Sequence, residues 1–203
     1  MKLKRDFLWI ILFGSLIGLN ETLLGGMHLP EKSVILSVIT LLFLSVGRYL
    51  FPGAGTSLLM IAVAVLFKIT DLGIHGCKVE GMVMLGVAFE IFATLIIRKG
   101  KIKFYFFSIV CMLASLSAFA AFAVMQRYVF HNMFWDTTKF SDHIFFRGPF
   151  TAMTSALFSL LGAIAINPLI AWYDKVLTKN PTAVYAAMSM LIVIFWFLGY
   201  ITV

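Results

Sequence analysis

Charge is scarce in this chain. Only 12% of its 203 residues are Asp, Glu, Lys or Arg, where an ordinary soluble domain carries about 25%. With 62% hydrophobic residues as well, there is too little polar surface to coat a globule in water, and a soluble domain is excluded. Cysteine is nearly missing. Cys77 and Cys111 form no CxxC pair, which excludes a zinc knuckle or a thioredoxin-like redox motif. Cys111 stands in an apolar run and reads as inert packing. The P-loop pattern GxxxxGK followed by Ser or Thr is absent, so no nucleotide is bound that way. GxSxG, HExxH and deaminase-like zinc patterns are absent too. No carboxylate pair has a glycosidase-like spacing, and no pair of in-span histidines marks a haem. No enzyme and no cofactor are expected.

What is there is apolar sequence in runs of membrane-spanning length. We expect an all-α, polytopic membrane bundle of six or seven transmembrane helices, forming one integral membrane domain over residues 1–203. The segments run from about Phe7 to Gly26, Val34 to Leu50, Thr56 to Thr70, Gly81 to Ile97, Phe104 to Gln126, Pro149 to Tyr173 and Ala183 to Val203. The third, at about 15 residues, is below the usual 17–25 for a full crossing. No A-x-A cleavage site follows the basic start and apolar run MKLKRDFLWIILFGSLIGL, which reads as an uncleaved first span. The Phe51–Gly55 stretch FPGAG marks a tight turn or an unwound piece. Asn167-Pro168 is a candidate kink, and Asp174, Lys175 and Lys179 form an inner loop.

Orientation follows from the basic residues. Arg98, Lys99, Lys101 and Lys103 close the fourth segment, and Lys and Arg near span ends collect on the cytoplasmic side. A cytoplasmic N-terminus puts ten of the sixteen Lys and Arg residues inside. The net charge of +7 then belongs to inner loops facing anionic lipid. No basic stripe interleaved with exposed aromatics suggests nucleic acid. The expected setting is the cell (inner) membrane, crossed several times, with the lipid bilayer as the first partner.

Glu90 is the strongest functional marker. A carboxylate in a span costs about 2.5–3.5 kcal/mol on insertion scales and usually faces a protein interior or polar cavity. Gly86, Val87, Ala93 and Thr94 flank it at helical spacing, and small residues there admit a neighbouring helix. A structural hydrogen bond is the competing role. Asn20 and Glu21 lie toward the outer end of the first span, where Glu21 either lines a site or reaches interfacial water. The long connection Arg127–Gly148 holds His131, Trp135 and many other rings among charges. It reads as an interfacial helix or as a lid over an outer pocket. Candidate substrate-binding residues are therefore Glu90, Glu21, Asn20, His75, His131 and Trp135. All four histidines, His28, His75, His131 and His143, fall in connections expected outside. With Cys77 beside His75, the set His28, His75, Cys77 and His131 has the donor chemistry of a zinc, copper or nickel site. Exclusion of polar residues from spans would collect them there as well.

Gly14 and Gly18 make a small-xxx-small face on the first span, suited to close helix contact. With the chain's size, its short loops, and the Gly-rich stretches GLNETLLGG (Gly18–Gly26) and PGAGTSLLMIAVAVLFK (Pro52–Lys68), this layout resembles the substrate-binding S components of energy-coupling factor transporters. In that family such a face on the first helix docks the coupling subunit, so the resemblance implies a partner interface at Gly14 and Gly18. It also implies a small-molecule or ion ligand, a vitamin-like nutrient or metal, taken up with a membrane coupling subunit and two ATPases. The chain departs from the pattern in two ways. Most members have six helices, against seven segments here, and the metal-specific members begin Met-His where this chain begins Met1-Lys2. The alternatives are a structural membrane subunit without its own ligand and a small intramembrane enzyme.

Overall fold

Hydrocarbon offers no partner for a free backbone N–H or C=O, each worth several kcal/mol, so apolar runs in a bilayer close on themselves as helices. In a computed structural model, which describes residues 2–27, 31–69, 76–97, 103–131, 135 and 137–201, they do so. At some helical positions, Cys77 among them, only the backbone is described. The helices are α1 (Lys2–Gly26), α2 (Lys32–Leu50), α3 (Thr56–Ile69), α4 (Gly76–Ile96), α5 (Phe106–Val124), α6 (Thr137–Asp142), α7 (Gly148–Lys179) and α8 (Pro181–Ile201). The chain is an all-α bundle and a multi-pass membrane protein: six stretches among the described residues are long and apolar enough to cross a membrane. Besides the six-residue α6, the shorter helix is α3, whose 14 residues reach only about 21 Å, short of a hydrocarbon core of about 30 Å.

The helices form a closed ring in the order α1, α3, α4, α5, α7, α2, with α2 also touching α3, α4 and α5. We call the end where α1 begins proximal and the opposite end distal. The proximal end also holds the turn from α2 to α3 and the junction of α7 with α8. The core between the helices is apolar, with Leu41, Leu44, Met60, Phe89 and Phe107 fully buried. The rings of Phe89 and Phe107 stack at 6.2 Å between centroids. Cys111 is buried here too and shares a 3.2 Å hydrogen bond with Ser45 Oγ.

Small residues decide how closely α1 and α3 meet. A Cβ at Gly14 would lie 2.6 Å from Met60 O and Val63 Cβ, and one at Gly18 would lie 2.7 Å from Phe67 Cβ. The Gly14–Gly18 face expected to dock a partner subunit is therefore covered inside the chain by α3. Two glycines one turn apart suit any helix that must come near, and the short α3 takes that place. α8 stands outside the ring against α1. Trp196 Nε1–H donates to Ser15 Oγ at 2.9 Å, and the Trp196 and Phe67 rings meet edge to face at 5.1 Å.

Two connections differ from expectation. The residues taken as an inner loop at 174–179 continue α7, which runs through Pro168 to Lys179. Only Asn180 separates it from α8. The Arg127–Gly148 connection is largely helical. A π-helical turn (Met125–Val129) ends α5, and α6 is followed by a second π turn (His143–Arg147) that runs straight into α7. Such turns often occur at functional sites.

Candidate functional site

Two polar sites stand at opposite ends of the bundle. The proximal one is built around Glu90. α4 runs from distal to proximal, so Glu90 lies in its proximal half beside the α2–α3 turn. Its Oε1 accepts from Gly55 N–H at 2.7 Å and from Thr94 Oγ1 at 3.1 Å, and its Oε2 accepts from Ser57 N–H at 3.2 Å. The carboxylate thus caps α3, whose first N–H groups have no intrahelical partner and whose dipole favours an anion there. The turn before α3 reaches this position through Gly55, at φ +87°, a conformation that costs a residue with a side chain. Arg48, at the end of α2, completes the site: its Nη2 is 3.4 Å from Glu90 Oε1 and 3.4 Å from Thr94 Oγ1. Both partners are deeply buried, Arg48 at 5% and Glu90 at 7% exposure. Arg48 Nε, Arg48 Nη1 and Ser57 Oγ have no hydrogen-bond partner among the described residues. With each Glu90 oxygen engaged by α3, this site holds the α2–α3 turn in place.

The distal site is a cavity of about 240 Å³. One wall belongs to the end of α1 and the start of α2, and it carries the polar groups: Glu21, Lys32, Ser33, Ser37 and Thr40. The facing wall is apolar, with Met82 and Leu85 from α4 and Phe119 and Phe122 from α5. Ser33, Ser37 and Thr40 fall at i, i+4 and i+7, so α2 presents them as one stripe. Ser33 Oγ has no hydrogen-bond partner among the described residues. Lys32 Nζ folds back to donate to Gly25 O at 3.3 Å.

The Arg127–Gly148 connection roofs this cavity. His143 lines it and stacks on Phe119 at 4.9 Å and beside Phe122 at 5.7 Å. Trp135 packs edge-on against His143 at 4.8 Å and Phe122 at 5.4 Å. At the rim Arg147 Nε binds Asp142 at 2.8 Å and Arg147 Nη2 approaches Glu31 at 3.7 Å, tying the roof to the α1–α2 turn. These half-exposed pairs are each worth about 0–1 kcal/mol.

The residues expected to share one substrate site divide accordingly. Glu21 lines the distal cavity and Glu90 does not, because α1 and α4 run in opposite directions and place their carboxylates at opposite ends. Asn20 is beside Glu21 in sequence but does not line the cavity, and its Nδ2 is buried without a partner among the described residues. Trp135 backs the lining residues without lining the cavity itself. His131 is exposed, in a left-handed turn at φ +46°, away from the cavity. His28, His75 and the Cys77 side chain lie outside the described residues. Among the described ones, no three His, Cys, Asp or Glu side chains are grouped to hold a metal ion.

Sequence reasoning missed Arg48, Lys32 and the hydroxyl stripe as site residues, and singled out His143 only as one of four outer histidines. The stripe had a signal, three hydroxyls at helical spacing on one face of an apolar run. Arg48 had a weaker one, since a span-buried acid calls for a span-buried base. No family model matches the chain, and neither does any curated protein or solved structure.

Proposed function

We propose that the chain is a solute-binding membrane subunit for uptake of a small nutrient, with its site in the distal cavity. The observation that carries this reading is the cavity itself: a polar α1–α2 wall faces an aromatic wall under an aromatic roof. Pockets of this kind, mostly apolar with a few convergent polar groups, are the usual form of a small-molecule site. The distal end faces outward in the cell membrane, as the basic residues of the sequence suggest, so solute enters from outside. With no P-loop in the chain, energy for release inward comes from ATPases acting through a membrane coupling subunit, as in the transporters the sequence resembles. The coupling subunit docks on a face other than Gly14 and Gly18. A membrane subunit without a ligand is the second reading, and the structural engagement of Glu90 favours it.

Native mass spectrometry of the purified protein separates the two. A co-purifying small molecule at one per chain, lost when Ser37→Leu and Thr40→Leu fill the cavity, supports solute binding. A chain that carries no small molecule, and binds none from a nutrient mixture, has the second role.

A further inference from the structure

Two arginines at the distal end are held in different ways. Arg147 gives its donors to Asp142 and Glu31. Arg127, in the π turn that ends α5, meets rings instead: its Cζ lies 5.0 Å from the Phe140 centroid and 5.4 Å from that of Tyr128. The two rings stand edge to face at 6.0 Å and form a corner shared by α5 and α6. Ring faces attract the cation, but they do not replace the oxygen acceptors that its five N–H donors call for. Among the described residues no carboxylate pairs with Arg127.

The level of this corner in the membrane is set by α5. Ile109, Met112, Leu116, Val124 and Tyr128 are exposed along one side of the helix, the side turned away from the bundle. Arg127 falls about three turns beyond Leu116 on that side. Val129 and Phe130 after it are exposed as well, and Phe106–Val129 is one of the six stretches of spanning length. Arg127 therefore stands where hydrocarbon gives way to headgroups, the level at which rings collect beside polar partners. The anion present throughout that layer is lipid phosphate. A guanidinium binds phosphate through two parallel N–H···O bonds and can rest on ring faces at the same time.

We propose that Arg127, held by Tyr128 and Phe140, binds the phosphate of one phospholipid in the leaflet at the distal end, with an acyl chain lying along the outward side of α5. None of these three residues lines the distal cavity, so the site is separate from it and does not rest on the solute-binding reading. Tyr128 and Phe140 are positioning residues: they fix the guanidinium so that its N–H edge is left for the phosphate. Because Phe140 belongs to α6, the bound lipid joins the end of α5 to the roof.

The test is native mass spectrometry of the full-length protein, delipidated in detergent and titrated with dioleoyl phosphatidylglycerol, dioleoyl phosphatidylcholine and a dioleoyl galactolipid that carries no phosphate. Both phospholipids should bind at one per chain, about tenfold more tightly than the galactolipid, the difference a charge-assisted hydrogen bond makes. Arg127→Met should bring both down to the galactolipid level. Arg127→Lys keeps the charge without the fork and should lose part of the preference. Phe140→Leu should weaken the phospholipids and leave the galactolipid unchanged, which a general loss of packing would not do. Gel filtration checks that each variant folds. Equal binding of the three lipids by the parent overturns the proposal without any variant, as does a preference kept by Arg127→Met. Competition by glycerol phosphate, which has no acyl chains, would make a soluble phosphate the occupant and overturns it too. Loss of the lipid when Ser37→Leu and Thr40→Leu fill the cavity would place it in the cavity, with the same consequence.

Discussion

The Arg48–Glu90 pair sets a large energetic stake at a single residue. Removing one member of a buried pair strands the other charge and costs about 3–5 kcal/mol. Glu90→Leu strips the α3 cap and leaves Arg48 uncompensated, and should lower the melting temperature in detergent by roughly 6–12 °C for about 3 kcal/mol. Glu90→Gln keeps one acceptor oxygen for the α3 amides and should lose distinctly less. Adding Arg48→Met to Glu90→Leu removes the stranded charge and should recover part of the loss. A double variant as unstable as the sum of the two single variants would mean that the charges do not interact. Solute binding at the distal end should survive Glu90→Gln.

At the scale of the element, α3 is the helix to watch. It is too short to cross alone, it is capped by Glu90 from α4, and it lies in the glycine groove of α1. Without a hydrophobic driving force inside lipid, its position depends on van der Waals contact at close range. Gly18→Val would drive side-chain atoms into Phe67, and overpacking of this kind costs about 1–3 kcal/mol. The isolated chain should therefore melt earlier. Were Gly18 only a docking face for a separate subunit, the variant would melt like the parent and fail only in assembly, and a melting curve distinguishes the two. α8 is different: it rests on α1 through Trp196 and leaves most of its surface for lipid.

At the scale of the whole molecule, orientation governs which end meets the nutrient. The Arg98–Lys103 stretch should lie inside and the Arg127–Gly148 connection outside. Single cysteines at Lys101 and Lys139, in a background lacking Cys77 and Cys111, should label from opposite sides of intact cells with a membrane-impermeant maleimide. Labelling of both from the same side would refute the arrangement, and labelling of Lys101 alone from outside would invert it and turn the cavity toward the cytoplasm.

Much of this architecture was legible in the residues. Scarce charge and apolar runs of spanning length dictate a helical membrane bundle, because hydrocarbon tolerates no unpaired backbone. The shortness of α3 and the turn at FPGAG also follow from composition and local conformational preference. The candidate site was legible only in part. Glu21 and Glu90 look alike in sequence, each an acid in an apolar run flanked by small residues. Which end each occupies depends on helix direction, and what surrounds each depends on which helix end arrives beside it. Glu90 meets the start of α3, while Glu21 lies on the wall of a cavity at the other end. Gly14 and Gly18 permit close approach without naming the helix that approaches. The sequence by itself determined that there would be helices in a membrane and which residues carry charge within them. Only the tertiary structure decided that Arg48 meets Glu90 and that Glu21 lines a cavity, because such neighbours are set by distances across the bundle and not along the chain.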